Sequence, residues 1–232
     1  MKKHIKVIVT MAAAASFALG AANTIAGGKG SNVGADKKES KEPSAVAQLA
    51  LAERLIKYGD SQNDPMALIL AAKIKKTHPD RDEKREKTSK GEGKDDKKAD
   101  EGKDSVDAVL ARARDMAKGD KGMLALADDV AAMSSRGLQG GAASTRERVL
   151  AKSTDYYNLT FKGGERAAVL INGDHDTDLD LYVYDENGNE ICKDIDSTDT
   201  MFCEWWPRWT GPFRVEIKNL GRVSNIYTIR TN

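Results

Sequence analysis

The 232-residue sequence predicts a chain of two architectures: an all-α N-terminal part made of helical hairpins and an all-β C-terminal sandwich. Three observations carry this. Apolar residues recur at helical spacing between Ser44 and about residue 135, and at a period of two after Ser153. The helical pattern occurs twice, shifted by 60 residues. Between its two copies lies a segment with almost nothing to bury. Charged residues make up 31% of the chain, apolar ones 40% and aromatic ones 6%, which is too polar for a membrane bundle. A net charge of +1 excludes a global electrostatic footprint for nucleic acid.

The first 26 residues read as a targeting segment. MKKHIK supplies positive charge, VIVTMAAAASFALGAA is uncharged, and TIAGG ends in small residues. Cleavage is expected after Ala26, with Ala22 as the alternative. The apolar run is shorter and weaker than the roughly 20 residues a membrane span requires, so no span is expected after cleavage. Loss of Lys2, Lys3 and Lys6 takes the net charge from +1 to −2, and the mature chain is expected in the periplasm or outside the cell. Cys192 and Cys203 would then meet an oxidising compartment, with one pairing available, and are expected to close a short hairpin.

Residues 27–43 are Gly- and Lys-rich and read as disordered. A first hairpin is expected over 44–77. Its first helix runs from about Ser44 to Tyr58 on the stripe Ala45, Leu49, Ala52 and Ile56, widened by Leu51 and Leu55, and Gly59 ends it. Asp64-Pro65 starts a second helix carrying Met66, Leu70 and Ile74, which stops at His78-Pro79. Residues 78–104 hold 10 acids and 9 bases in 27 positions and read as a solvated linker. A second hairpin over 105–135 repeats the first, with Val106, Val109, Leu110, Ala113 and Met116, a stop at Gly119, then Met123, Leu126, Ala127 and Val130. Neither hairpin has enough core alone. Together they are expected to form a four-helix unit with the linker looped outside; the alternative is an apolar face that docks a partner.

Residues 136–152 read as a second linker, and 153–232 as the sandwich. Strands are expected over 156–161, 167–172, 178–184, 190–194, 201–205, 213–218 and 226–231, the clearest alternating Phe213, Val215 and Ile217 with charged residues. The runs GDHDTDLDLYVYDENGNEI, WWPRWTGPFRVEIKNLG and NIYTIRTN resemble the bacterial pre-peptidase C-terminal domain across residues 150–232. The resemblance implies a jelly-roll-like sandwich of a kind usually appended to secreted peptidases, with calcium bound in some members. No peptidase domain accompanies it here, so protease activity is not implied. The helical part, with DPMALILAA, is similar to exported proteobacterial proteins of unknown role that end in such a domain.

The acids suggest a candidate site. If Leu179, Leu181 and Val183 face inward, Asp178, Asp180, Tyr182 and Tyr184 face outward. A three-residue loop at Gly188 would set Asp180 opposite Asp194 and Asp178 opposite Asp196, with Ile191 and Ile195 on the core side; a two-residue Asn-Gly turn would set Asp180 opposite Ile195. The first register is preferred. Asp174, Asp176 and Asp199 lie in loops at the same end, and converging carboxylates are what calcium requires. The alternatives are a solvated edge and turn-capping by Asp174 and Asp185. His175 reads as an exposed turn residue. Trp205, Trp206 and Trp209, with Tyr182 and Tyr184, could bind a cell-envelope glycan or instead pack the sandwich.

No GxSxG, HExxH, GxxxxGK[ST] or CxxC pattern occurs. The function expected is that of a non-enzymatic exported protein: a stability, adhesion or binding sandwich, with calcium as a possible ligand, joined to a helical assembly or docking unit. Carbohydrate binding through the Trp cluster is the alternative, and a carboxylate hydrolase a more remote one. No cofactor is required.

Overall fold

The computed structural model describes residues 30–34, 44–91, 93, 102–134 and 141–232. The expected signal peptide lies outside the described residues. The two architectures are present: among the described residues, four helices and two five-stranded sheets packed as a sandwich. Among the described residues no helix is long and apolar enough to cross a membrane.

Helices α1 (Ala45–Gln62), α2 (Pro65–Thr77), α3 (Val106–Met116) and α4 (Lys121–Ala132) share one core built from Ile56, Leu68, Ile69, Val109, Leu110 and Val130. The repeat is visible in the caps. Ser44 and Ser105 each accept from the backbone N–H three residues on, at 3.2 Å, and Asp64 and Asp120 each accept two N–H groups of their own first turns. Aligned on those caps the offset is 61 residues in the first helix and 56 in the second, rather than a uniform 60. Gly59 does not end α1. It lies inside the helix where a Cβ would stand 2.7 Å from Leu68, so its bareness brings α2 close. The stop falls at Asn63, in the left-handed region at φ 53°.

The strands are β1 (Arg81–Asp82), β2 (Lys87–Lys90), β3 (Ala143–Val149), β4 (Thr154–Phe161), β5 (Ala167–Asn172), β6 (Leu179–Asp185), β7 (Glu190–Asp194), β8 (Thr200–Trp205), β9 (Gly211–Asn219) and β10 (Asn225–Thr231). One sheet runs β1-β3-β10-β5-β8, the other β2-β4-β9-β6-β7. Between them lie Phe161, Leu181, Trp205, Phe213, Ile217 and Tyr227 among others.

The described parts of three segments read as linker or disorder are structured. Within 78–104, β1 and β2 add an edge strand to each sheet, while 92 and 94–101 lie outside the described residues. The reason is charge complementarity rather than apolar content. Lys87 Nζ meets the buried Asp155 at 2.7 Å, and Arg85, its side chain 3% exposed, donates to Thr145, Thr231 and two backbone carbonyls. Asp80 takes a two-pronged contact from Arg230 at 2.7 and 2.8 Å. Within 136–152, residues 143–149 pair along β10, so the sandwich begins before residue 153. Within 27–43, Gly30–Gly34 is laid against the sandwich. Asn32 is buried, exchanging hydrogen bonds with the Trp209 backbone at 3.0 and 3.1 Å and donating its N–H to Asp185.

The disulfide joins Cys192 to Cys203, but it does not close a hairpin within one sheet. Cys192 is on the edge strand β7 and Cys203 on the edge strand β8 of the other sheet, so the bond ties the two layers together. The helical unit stands on the outer face of the first sheet, where Val46, Leu49 and Ala50 of α1 cover Ala168 and Leu170 of β5 and the flank of Phe202.

Candidate functional site

The acidic end of the sandwich meets the helical unit around a cavity of about 630 Å³ lined by Arg54, Lys57, Asp104, His175, Asp194, Asp199 and Phe202 among others. His175 organises it. The residue sits in the left-handed region at φ 66°, and the preceding Gly173 leaves room where a Cβ would come within 2.2 Å of Asp199 Oδ2. That tight turn aims the imidazole between two carboxylates. Nε2 lies 2.7 Å from Asp104 Oδ2, in the segment leading into α3, and Nδ1 lies 3.1 Å from Asp199 Oδ1. The His175 backbone N–H also donates to Asp199 at 2.5 Å. Asp104 in turn accepts from Arg112 of α3, which reaches Asp60 at the end of α1. One line of alternating charge thus runs from α1 through α3 into the sandwich.

The electrostatics follow from this geometry. The Asp104 and Asp199 carboxylates raise the His175 pKa to about 10, against the opposing effect of burial. Burial pushes Asp104 up, but His175 and Arg112 outweigh it and bring it to about 2. Asp199, 4% exposed, is likewise held below the usual carboxylate range, with His175 overcoming burial. His175 is therefore the exposed turn residue expected, its side chain 37% exposed, and an imidazolium latch as well. Reading the sequence alone misses it because Asp104 lies 71 positions away.

Most of the six acids proposed for calcium are engaged in capping, turn or cross-strand contacts. β6 and β7 pair with Leu181 opposite Asp194 and Val183 opposite Cys192, with a bulge before Tyr184. The expected apposition of Asp180 with Asp194 and of Asp178 with Asp196 is thus corrected by one residue. The disulfide explains the shift: Cys192 must face inward to reach Cys203, which turns Asp194 to the same side and leaves Ile195 51% exposed instead of in the core. Asp194 accepts from the Phe202 N–H at 2.9 Å, capping β8. Asp196 accepts from Thr198. Asp174 accepts from the N–H groups of Ile226 and Asp176, the turn-capping role weighed for it. Asp180 pairs across the ladder with Lys218 and accepts from the Tyr182 hydroxyl. Asp178 keeps one buried oxygen without a donor, and burial together with Asp180, Asp196 and Asp199 raises its pKa. One such oxygen is not the six-oxygen cage calcium takes, and among the described residues no three His, Cys, Asp or Glu side chains form a metal-holding group. Removing divalent cations with a chelator is accordingly expected to leave the melting temperature unchanged, as a thermal scan with and without added calcium would check.

The three tryptophans do not form a cluster. Trp205 is core, edge-on to Phe161 at 4.9 Å; Arg166 lies over Trp206; Trp209 is exposed and donates its indole N–H to Glu186. Tyr182 and Tyr184 lie near-parallel, 6.4 Å apart, on the outer face of the second sheet.

No family model and no curated protein matches the chain. Among solved structures, a de novo designed double-stranded β-helix covers 38% of this chain and 97% of its own at 15% identity and TM-score 0.26. The CBM22-1-GH10 modules of the Clostridium thermocellum endo-1,4-beta-D-xylanase 10B cover 42% of this chain and 23% of their own, at 17% identity and TM-score 0.23. The capsular polysaccharide assembling protein CapF from Staphylococcus aureus covers 55% and 41%, at 10% identity and TM-score 0.22. Likeness at this level bears on neither family nor activity.

Proposed function

We propose that the chain is a non-enzymatic exported protein, related to those ending in a pre-peptidase C-terminal domain, whose sandwich is a binding or adhesion module carried by a helical assembly unit. The engagement of both His175 ring nitrogens by carboxylates, at 2.7 and 3.1 Å, supports the non-enzymatic part by taking the histidine at the acidic end out of use as a base. A general base needs a free ring nitrogen near the operating pH, whereas this ring holds its proton between two carboxylates across that whole range. Its work is to fix the helices to the back of the sandwich. The disulfide supports an oxidising compartment. Leu70 and Leu126, at equivalent positions after the two Asp caps and each more than 40% exposed, support an assembly role for the helical face.

The test has two parts. N-terminal sequencing of the chain recovered from a producing cell should begin at Gly27; a retained Met1 would contradict export. Incubated with isolated envelope material and a broad hydrolase panel, the chain should bind without turnover. Turnover lost in His175→Ala or Asp180→Asn would overturn the reading.

A further inference from the structure

The sandwich has two outer faces, and α1 covers only one. On the second sheet the ladder registers set the outward side chains in rows. Across one row stand Thr88, Tyr156, Glu216, Tyr182 and Lys193; across the next, Asn158, Arg214, Tyr184 and Glu190. Tyr156 and Tyr182 are therefore two strands apart, about 10 Å, and Tyr184 extends the line along β6. Lys90 lies 5.4 Å over the Tyr156 ring and Arg214 4.7 Å over that of Tyr184, which hold the rings in place. Beside them a groove of about 760 Å³ runs from β2 to the β6–β7 turn, walled by Tyr156, Asn158, Arg214, Thr88 and Asn187.

We infer that this face is a binding groove for a neutral polysaccharide. The ligand class comes from the chemistry on the face. Sugar rings need flat apolar surfaces for their C–H faces together with planar donors and acceptors for their hydroxyls. The tyrosines supply the first, and the Asn158 and Asn187 amides, the Arg214 guanidinium and the Glu216 carboxylate supply the second. Tyrosine-bearing positions two strand spacings apart, about 10 Å along the sheet, are of the order of a disaccharide step. The charges balance, with Lys90, Lys193, Arg214 and Lys218 against Glu86, Asp180, Glu190 and Glu216, so the face selects neither polyanion nor polycation. The Tyr182 hydroxyl donates to Asp180, which leaves its oxygen to accept from a ligand hydroxyl. This inference rests on the binding-module reading and places the site on tyrosines of the open sheet rather than on the tryptophans.

The experiment is co-sedimentation of the full chain with cellulose, chitin and peptidoglycan, at low and high salt. The wild-type chain should be retained by a neutral glycan with little salt dependence. Tyr156→Ala and Tyr182→Ala should each weaken retention by about tenfold, the loss of roughly 1.4 kcal/mol of contact, at unchanged melting temperature because these side chains sit outside the core. Trp209→Ala should bind as the wild type does. Retention on a neutral glycan that survives the tyrosine variants overturns the inference. If no glycan holds the chain but envelope protein does through the same tyrosines, the ligand class falls and the binding-module reading stands. If nothing holds it, both fall.

Discussion

Replacing His175 by alanine should destabilise the chain by about 1.5–3 kcal/mol, the range for hydrogen bonds to a charged group, and at the low end of it because the imidazole is 37% exposed and Asp199 keeps Asn225 and a backbone N–H. The charge at issue is Asp199, whose side chain is 4% exposed; Asp104 is less enclosed and retains Arg112. His175→Gly separates the latch from backbone strain. It also removes the ring but suits the left-handed backbone at φ 66°, so it should recover roughly 1 kcal/mol relative to alanine and no more. Asp104→Asn should lose less than His175→Ala, since the His175–Asp199 pair survives.

The latch also sets the pH profile. Folding raises the His175 pKa from 6.5 to about 10, so the folded state holds the proton more tightly. Its contribution is complete below pH 6.5 and is lost as pH rises through 10. Folding lowers Asp104 from 3.8 to about 2, so that contribution is complete above pH 3.8 and is lost as pH falls through 2. Melting temperature against pH should be flat between about 4 and 6.5 and fall on both sides. In His175→Ala the alkaline limb should flatten. An unchanged alkaline limb would show that another group controls it.

The second large effect is expected from the disulfide. Cys192 and Cys203 are 11 residues apart, and removing a cross-link around so short a loop costs about 3 kcal/mol in the chain-entropy view. Cys192→Ser with Cys203→Ser should lower the melting temperature by about 6–12 °C. The sandwich should still fold, because the core that surrounds Cys203 keeps Leu181, Val183, Val215, Ile217 and its other apolar members. Since the bond joins the outer strands of opposite sheets, hydrogen exchange should quicken first along β7. Uniform loss of protection over β9 and β10 would contradict that placement.

Much of the fold was legible in the sequence because periodicity reports burial directly. The four helices, seven of the ten strands and the capping residues Asp64, Asp174 and Asp185 follow from local spacing. What was not legible depended on distant partners. The run AAVLI of β5 is apolar at every position, the mark of a strand covered on both faces, and it could have announced that the helices dock on that sheet. The polyampholyte of 78–104 reads as solvated because composition cannot tell a charge with a buried partner from one in water; Arg85, Lys87 and Asp80 have partners 58 or more positions away. Asn32 was hidden for the same reason. In the candidate site, Tyr182 and Tyr184 were found from alternation alone, but Tyr156 joins them only through the β4–β9–β6 register. The misplaced Asp180–Asp194 apposition turned on one residue of register, and requiring Cys192 to face the core would have fixed it.

The claim on which the rest depends is that helices and sandwich form one body, held through α1 on β5 and the Asp104–His175–Asp199 latch, with the second sheet left open. Differential scanning calorimetry of the intact chain near pH 6 tests it most directly. One body predicts a single transition whose calorimetric and van't Hoff enthalpies agree, splitting or broadening in His175→Ala. Two resolved transitions in the unaltered chain, with the helical unit melting by itself, would contradict it.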